Sequence, residues 1–549
     1  MQKKSLKNNI IEYNRSSLEQ DIEELLLERF GEEHLVEKTI DDLHDPYLLK
    51  DMDKAVERIK QAKKDDEKVM IFGDYDVDGV TSTSILMHFF QKINLKASYR
   101  LPHRVKDGYG LKAYFLDELS ELGVTLIITV DCGSRDIDVI EKAKTMGIDI
   151  IVTDHHMTPE VIPESAVALI NPKRPDCPYP FKFLAGAGVA FKLMQALSLE
   201  YFPAKIARDY WIDSVDICAI GTVADCMSII GENRILVREG LKQLKQSRSR
   251  GVRMIIADQM EQEIDADIFG FTLGPRLNAA GRMDTPYKAV NLLLNNGPTL
   301  ENTLREIEDL NNQRKLLTKQ FTEEAMSTIN RDDNLIFYVS SEITHGIIGI
   351  VAGRITEKFH KPCIVLKDEG DKLVASCRSP EFYSIIDILE QHKDMFIAFG
   401  GHKQAAGFSI SKDKLPEFQR SVLRIVNKQD FTKHKKILPV TKVVKIDELG
   451  FKFLAKVNKF KPFGMGNPKP LFMIENLTYE KLEFLGKGRD HIRFNTKQGF
   501  KIFGFFMGDF YDEIKRSGGR VSIIFDISED SWMGKKNLML KLEDIILER

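Results

Sequence analysis

The stretch Val69-Met70-Ile71-Phe72-Gly73-Asp74-Tyr75-Asp76-Val77-Asp78-Gly79-Val80-Thr81-Ser82 decides the architecture. An apolar run rich in Val, Ile and Phe ends at Gly73, and carboxylates follow at every second position. In extended backbone such carboxylates project from one face, and three of them there want cations. The small cluster Thr81-Ser82-Thr83-Ser84 then leads into Ile85-Leu86-Met87. The acidic turn therefore lies between a strand and a helix, at the carboxyl edge of an α/β sheet, where such folds place their sites. An EF-hand reading fails, because the position reserved for a bidentate Glu is Ile85 and a strand-like run precedes the loop. A solvated acidic turn is the other plain reading of this stretch taken alone.

The pattern recurs downstream. Val124–Val130 is a continuous apolar run ending in Asp131-Cys132-Gly133, and after a helical stretch at 136–146 the run Ile148–Val152 ends in Thr153-Asp154-His155-His156. Lys96–Pro102 and Ala166–Pro172 read as further strands, and strands alternating with helices imply a parallel, doubly wound sheet. An Asp after a strand often only caps the next helix. In a parallel sheet, however, all carboxyl ends share one edge, so Asp74, Asp76, Asp78, Asp131 and His155 converge there. With Asp225 they form an oxygen and nitrogen ligand set free of thiolate, which suits Mn²⁺ or Mg²⁺ better than structural zinc. Two such cations about 3.5–4 Å apart can clamp the attacking and leaving oxygens of a phosphoryl displacement. Phosphoester hydrolysis is the expected chemistry.

Composition is consistent with this and excludes other classes. The chain has 549 residues, 43% hydrophobic and 29% charged, enough for several domains with ample core. The polar N-terminus and the lack of a membrane-length apolar run read as cytoplasmic. Cys132, Cys177, Cys218, Cys226, Cys363 and Cys377 form no C-x-x-C pair, so neither a zinc knuckle nor a disulfide scaffold is indicated. A net charge of −3 gives no global attraction to polyanions, so nucleic acid must be met by local patches. Residues 431–470 offer one, with ten lysines against Asp447 and Glu448; a solvated lysine-rich surface is its plain alternative.

Gly400-Gly401-His402-Lys403 allows backbone amides close to a phosphate and adds two side-chain donors. Arg276, Arg282, Ser376 and Arg378 are donors able to hold a terminal phosphate. Leu300, Leu304, Ile307, Leu310 and Leu317 recur at helical spacing in a stretch, 299–330, without Gly or Pro, which predicts a long connecting helix. Residues 18–30 and 50–60 read as amphipathic helices packing ahead of the first strand. After Val440 five short β segments, at 471–474, 482–485, 491–494, 501–506 and 521–525, suit an OB-fold barrel. Phe484, Phe494 and Trp532 could stack on a single strand there, although each could equally be core.

Asp74-x-Asp76-x-Asp78, Val130-Asp131-Cys132-Gly133, Asp154-His155-His156 and Ala224-Asp225 resemble the four ordered motifs of the DHH phosphoesterase superfamily. Gly274–Arg282, His345–Arg354, Ala375–Ser379, Gly400–Gly407 and Phe463–Pro468 narrow the resemblance to the RecJ exonuclease family, over roughly residues 65 to 549. Ile343-Thr344 departs from the family, in which an aromatic often stands there, and no role is given to that pair.

The resemblance implies a DHH domain with N-terminal helices (1–298), a connecting helix (299–332), a DHH-associated domain (333–430) and an OB-fold domain (431–549). It implies a single-stranded-DNA-specific 5′→3′ exonuclease of DNA repair and recombination beside a RecQ-type helicase and single-strand-binding protein; a two-domain clamp could do this work as a monomer. Asp74, Asp76, Asp78, Asp131, His155 and Asp225 would ligate two divalent cations, Mn²⁺ first, with Asp131 bridging. His156 would orient or protonate near the phosphate, and Asp154 would orient the histidines. Arg104, Ser376, Arg378 and one of Arg276 and Arg282 would read the 5′-phosphate. Two rival expectations are a phosphodiesterase of short RNA or cyclic dinucleotides and a noncatalytic replication scaffold.

Overall fold

The computed structural model describes the chain except residues 262, 263, 487, 533, 534, 548 and 549 and the side chains of 432 and 530–535, so the Trp532 ring lies outside the described residues. Two compact units result: Lys38–Lys428 with Gly464–Gly466, and Met1–Glu37 with Gln429–Phe463 and Asn467–Arg549. No described helix is long and apolar enough to cross a membrane.

The larger unit holds a five-stranded parallel sheet in the order Ala97–Arg100, Lys68–Gly73, Val124–Val130, Asp149–Thr153, Ala168–Ile170. Both faces are covered, which explains the unbroken apolar runs. Val69, Ile71, Leu126 and Ile128 face a core with Leu86, Phe90, Ala187 and Leu193. The alternate residues Met70, Phe72 and Ile127 face Phe115, Leu119 and Ile140 on the other side. Phe72 and Phe90 are fully buried, each contributing about 1.5–3 kcal/mol.

The helix Leu300–Thr328 has 29 residues, about 44 Å at 1.5 Å per residue. A second sheet follows, in the order Phe396–Gly401, Ala405–Ser411, Lys372–Arg378, Cys363–Asp368, Ile336–Ser340. Its last pair is parallel, joined across the helix His345–Phe359.

The smaller unit contains a closed five-stranded barrel: Leu471–Leu485, His491–Thr496, Lys501–Gly504, Lys535–Leu547, Arg520–Trp532, and back to Leu471–Leu485. Two expected segments, 471–474 and 482–485, are one strand, whose register slips between Ile474 and Leu477 as it pairs with Arg520–Trp532. The fifth strand, Lys535–Leu547, went unread because charged residues interrupt its apolar positions. Phe494 is fully buried core, not a stacking platform. Phe484 stacks on Tyr511 with ring centroids 4.0 Å apart, which covers one of its faces.

Residues 1–37 correct the expected grouping with the metal domain: they belong to the barrel unit. Strand Ile10–Glu12 pairs parallel with Ile437–Val443, and Ile22, Leu26 and Phe30 share a core with Phe453, Phe460 and Phe463. An amphipathic stripe shows that a helix packs but carries no address for its partner. The lysine-rich stretch is partly consumed by this docking. Lys442 is buried and donates to the carbonyls of Ser17, Leu18 and Gln20, each at 2.9 Å, while Lys456 pairs with Asp21 and Lys459 with Glu23.

A candidate metal centre and phosphate pocket

Strand Lys68–Gly73 ends, and the chain turns into the helix Val77–Lys92 with Asp76 as its N-cap; Asp76 Oδ1 accepts from the N–H groups of Asp78 at 2.9 Å and Gly79 at 3.2 Å. The three carboxylates are thus not a row on extended backbone, as the spacing implied. Asp74 follows the strand, Asp76 caps the helix and Asp78 lies in its first turn. Consequently they separate into two ligand groups. One comprises Asp74, Asp76 and Asp131; the other comprises Asp78, His155 and Asp225, with ligand atoms in each group within 4.8 Å of one another.

Asp131 stands between them, its Oδ1 3.2 Å from His155 Nε2. Its backbone φ is 60°, in the left-handed region that few residues other than glycine occupy. Asp225 arrives from a different direction, as C-cap of the helix Ala204–Ala224, with Oδ2 3.5 Å from His155 Nε2.

Asp78 is held by an anchor that sequence reading missed. The N–H groups of Gly186 and Ala187, at the start of the helix Gly186–Tyr201, donate to Oδ2 at 2.6 Å and Oδ1 at 2.8 Å. The signal was present as the small-residue run Ala185-Gly186-Ala187-Gly188 opening an apolar helix. Asp154 is a positioning group, as expected. Its Oδ1 accepts from the His155 N–H at 2.7 Å, the His156 N–H at 3.1 Å and the His156 ring Nδ1 at 2.8 Å, and its Oδ2 from Ser134 N at 3.0 Å. Tyr109 places its hydroxyl 3.1 Å from Asp131 O and 3.0 Å from His156 Nδ1.

The electrostatics follow from burial. Asp78 is pushed up to about 7 by desolvation and then by Asp76, and Asp225 to about 8 by desolvation and then by Asp78. Asp74 and Asp131 are raised by the same causes. His155 is held down at about 3 by burial and by His156. His156 is raised, since burial is outweighed by its bond to Asp154.

Asp74 Oδ1, Asp131 Oδ1 and His155 Nε2 are buried without hydrogen-bond partners in the structure. Buried acceptors left this way are costly, and a divalent cation is what such a carboxylate and imidazole set accommodates. The residues present fit the metal.

A guanidinium cluster borders this centre. Arg104 lies over the Tyr75 ring, 4.1 Å from its centroid, and its Nη2 is 3.4 Å from Asn278 Oδ1. Arg282 donates to Gly346 O at 3.0 Å, and Arg378 donates to Ser376 Oγ at 3.2 Å. Burial first, then Arg104, Arg314 and Arg378, lower Arg282 to about 9 against the opposing pull of Asp76. Arg276 is not part of the cluster: its guanidinium donates to Glu308 at 2.6 Å and to Thr272 O at 2.9 Å. Six residues apart on one helix, Arg276 and Arg282 point about 120° apart, so only one can face the pocket.

His402 is lowered by burial and then by the positive charges of Arg135, His156 and Lys173. Gly400, His402 and Lys403 are exposed. Gly401 serves its hairpin: at φ 143° a Cβ would lie 2.4 Å from Ala406 Cα.

Comparison with known proteins matches this arrangement. Residues 68–222 match the DHH family N-terminal domain, 332–428 the DHHA1 domain and 441–544 the RecJ OB domain. The single-stranded-DNA-specific exonuclease RecJ of Bacillus subtilis is 34% identical over 518 residues, covering 92% of this chain and 64% of the relative. That of Salmonella typhimurium is 37% identical over 396 residues, 68% of each chain. This chain thus spans about two thirds of those relatives' length. The crystal structure of Thermus thermophilus RecJ with Mn²⁺ superposes with a TM-score of 0.79 at 26% identity, covering 91% of this chain and 72% of that one; the same protein with Mg²⁺ gives 0.75 at 25% identity, covering 95% and 74%. With these matches over the metal centre, the associated domain and the barrel, the chain belongs to the RecJ family of DHH proteins.

Proposed function

We propose that this chain is a metal-dependent exodeoxyribonuclease that degrades single-stranded DNA from its 5′ end to mononucleotides. The observation that carries the reading is the adjacency of two clusters in one compact unit. Carboxylates and His155, with buried partnerless atoms, abut guanidiniums that can hold a terminal phosphate, and Arg104 lies over Tyr75 between Asp74 and Asp76.

Asp74, Asp76 and Asp131 would hold one divalent cation, and Asp78, His155 and Asp225 a second, with Asp131 shared. Mn²⁺ and Mg²⁺ both suit the donors. When bound, such cations supply charge neutralisation at the scissile phosphate and lower the pKa of the attacking water. Arg104, Arg282, Arg378 and Ser376 hold the 5′-terminal phosphate, so the first internucleotide linkage falls at the carboxylates and the product is one nucleotide. His156 donates Nδ1–H to Asp154, which leaves Nε2 to deliver a proton to the leaving oxygen. Its raised pKa keeps that proton available near neutrality. Gly400, His402 and Lys403 add donors for the strand beyond the cut. Seating the terminal nucleotide requires it to be unpaired, and this accounts for single-strand preference. The barrel unit supplies a second single-strand surface. A RecQ-type helicase and single-strand-binding protein are the co-workers such an enzyme implies.

The test is a time course with Mn²⁺ on DNA labelled at either end, single-stranded and duplex, with Asp131→Ala beside the wild type. Early release of labelled mononucleotide from the 5′ label on single strands, abolished in the variant while DNA binding persists, is expected. Intact DNA despite bound metal, or turnover confined to short RNA or cyclic dinucleotides, overturns the reading.

A further inference from the structure

The guanidinium cluster does not end at the residues that face the terminal phosphate. Arg314 and Asn311 lie one turn apart on the connecting helix Leu300–Thr328 and touch through Arg314 Nη2 and Asn311 Oδ1 at 3.0 Å. Asn311 is fully buried, yet its Nδ2 has no partner, and neither does the buried Nε of Arg314. Arg314 is close enough to Arg282 to disfavour its charge, and Arg354 does the same to Arg314. Elsewhere on the connecting helix the arginine contacts are neutralised: Arg276 by Glu308 and Arg250 by Glu301. Among the described residues Arg104, Arg282, Arg314, Arg354 and Arg378 form no ion pair. Five guanidiniums gathered with no carboxylate in ion-pair contact, although Asp74 and Asp76 act on Arg104 and Arg282 from beyond that distance, are unfavourable unless an anion joins them.

Space continues in the same direction. Along the helix His345–Phe359, a Cβ at Gly349 would meet Arg378 Nη2 and Ser376 Oγ, each at 3.0 Å, whereas one at Gly353 would meet nothing within 4 Å. That single turn advances about 6 Å, and Arg354 follows directly.

We propose that Arg314, Asn311 and Arg354 form a second anion subsite behind the terminal-phosphate pocket, which admits a nucleic-acid strand carrying a 5′-di- or triphosphate. The α-phosphate occupies the donors Arg104, Arg282 and Arg378, and the outer phosphates extend to Arg314 and Arg354. Arginine provides the bidentate donors that such oxyanions favour. This rests on the exonuclease reading for its strand but not for its anion, and the two are tested separately.

The first arm titrates the full-length protein calorimetrically in EDTA, so that chelation at the carboxylates plays no part, with orthophosphate, pyrophosphate and tripolyphosphate. Tripolyphosphate is expected to bind about tenfold or more tighter than orthophosphate, a preference lost in Arg314→Ala, largely kept in Arg314→Lys and kept in Arg420→Ala, an exposed arginine elsewhere that controls for bulk charge. Thermal melts establish that each variant is folded. The second arm compares Mn²⁺-supported degradation of the same oligonucleotide bearing a 5′-monophosphate or 5′-triphosphate, the expected result being a triphosphate-to-monophosphate rate ratio that drops in Arg314→Ala. Equal binding of the three anions, or a preference equally reduced by Arg420→Ala, overturns the subsite. Free polyphosphate bound with triphosphorylated strands refused would assign the site to a soluble polyphosphate and overturn the strand as ligand. If no DNA of any kind is cut, the exonuclease reading fails while the calorimetry still decides the subsite.

Discussion

The Gly186 N–H donates to Asp78 Oδ2 over 2.6 Å, and the same glycine leaves no room for a side chain beside Asp131. A Cβ there would lie 2.6 Å from Asp131 Cβ and 2.7 Å from its Oδ1. Gly186→Ala should therefore displace the shared carboxylate without unfolding the domain. Outer supports of metal ligands are typically worth about 10–100-fold in metal affinity or activity, so Mn²⁺ affinity measured by calorimetry should fall by about that factor. Wild-type affinity in the alanine variant would refute the role given to this contact.

Arg282 and Arg276 should part company when replaced. Arg282→Gln should erase discrimination between 5′-phosphorylated and 5′-hydroxyl strands, worth about 10–100-fold for a lost charged hydrogen-bonding partner. Arg276→Gln should leave that discrimination intact and cost only about 0–1 kcal/mol of stability, the range of a solvent-accessible ion pair. Competition between the two substrates in one reaction reads the ratio directly. A loss of discrimination in Arg276→Gln alone would reverse the assignment.

Metal should invert the pH dependence of stability. Burial raises Asp78 to about 7 and Asp225 to about 8, above the ordinary carboxylate value of about 4. At the four raised carboxylates the folded metal-free protein therefore binds more protons than the unfolded chain, which outweighs the one proton that the depressed His155 gives up, and by linkage its stability declines as pH rises between about 4 and 8. Bound metal requires the deprotonated ligands, so with saturating Mn²⁺ the melting temperature should rise or stay level over the same range. Melting curves from about pH 5 to 8 with EDTA and with Mn²⁺ check this; parallel slopes in the two series would count against the carboxylates as the metal site.

A buried ion pair that takes no part in the metal centre should carry a large structural effect. Lys192 is fully buried, with Nζ 2.9 Å from Glu232 Oε1 and 2.7 Å from His44 O, and Glu232 also accepts from the His44 N–H and the Tyr179 hydroxyl. Lys192→Met should cost about 3–5 kcal/mol, because it leaves the glutamate buried and unpaired, and Lys192→Met combined with Glu232→Gln should recover much of that. Urea unfolding of the three proteins measures it; a double variant no more stable than the single one would show that the pair itself, not the stranded charge, supplies the energy.

Much of this site is legible in the amino-acid order alone. Continuous apolar runs ending in Asp74, Asp131 and His155 predict a parallel sheet, and a parallel sheet brings its carboxyl ends to one edge whatever the side-chain details. Local periodicity is written in neighbouring residues, so strands, the connecting helix and the convergence of ligands could be read from them. What tertiary structure decided is where each face and each charge found its partner. Asp78 parts from Asp74 and Asp76 because the chain has already entered a helix at that point, and its anchor, the Gly186 N–H, lies more than a hundred residues away. Arg282 rather than Arg276 joins the guanidinium cluster, while Arg276 pairs with Glu308, because rotation about a helix turns them apart. Residues 1–37 complete the barrel unit because an apolar stripe specifies only that it will be covered, and the covering surface is chosen by shape and by anchors such as Lys442 and Asp544 that sit hundreds of residues down the chain.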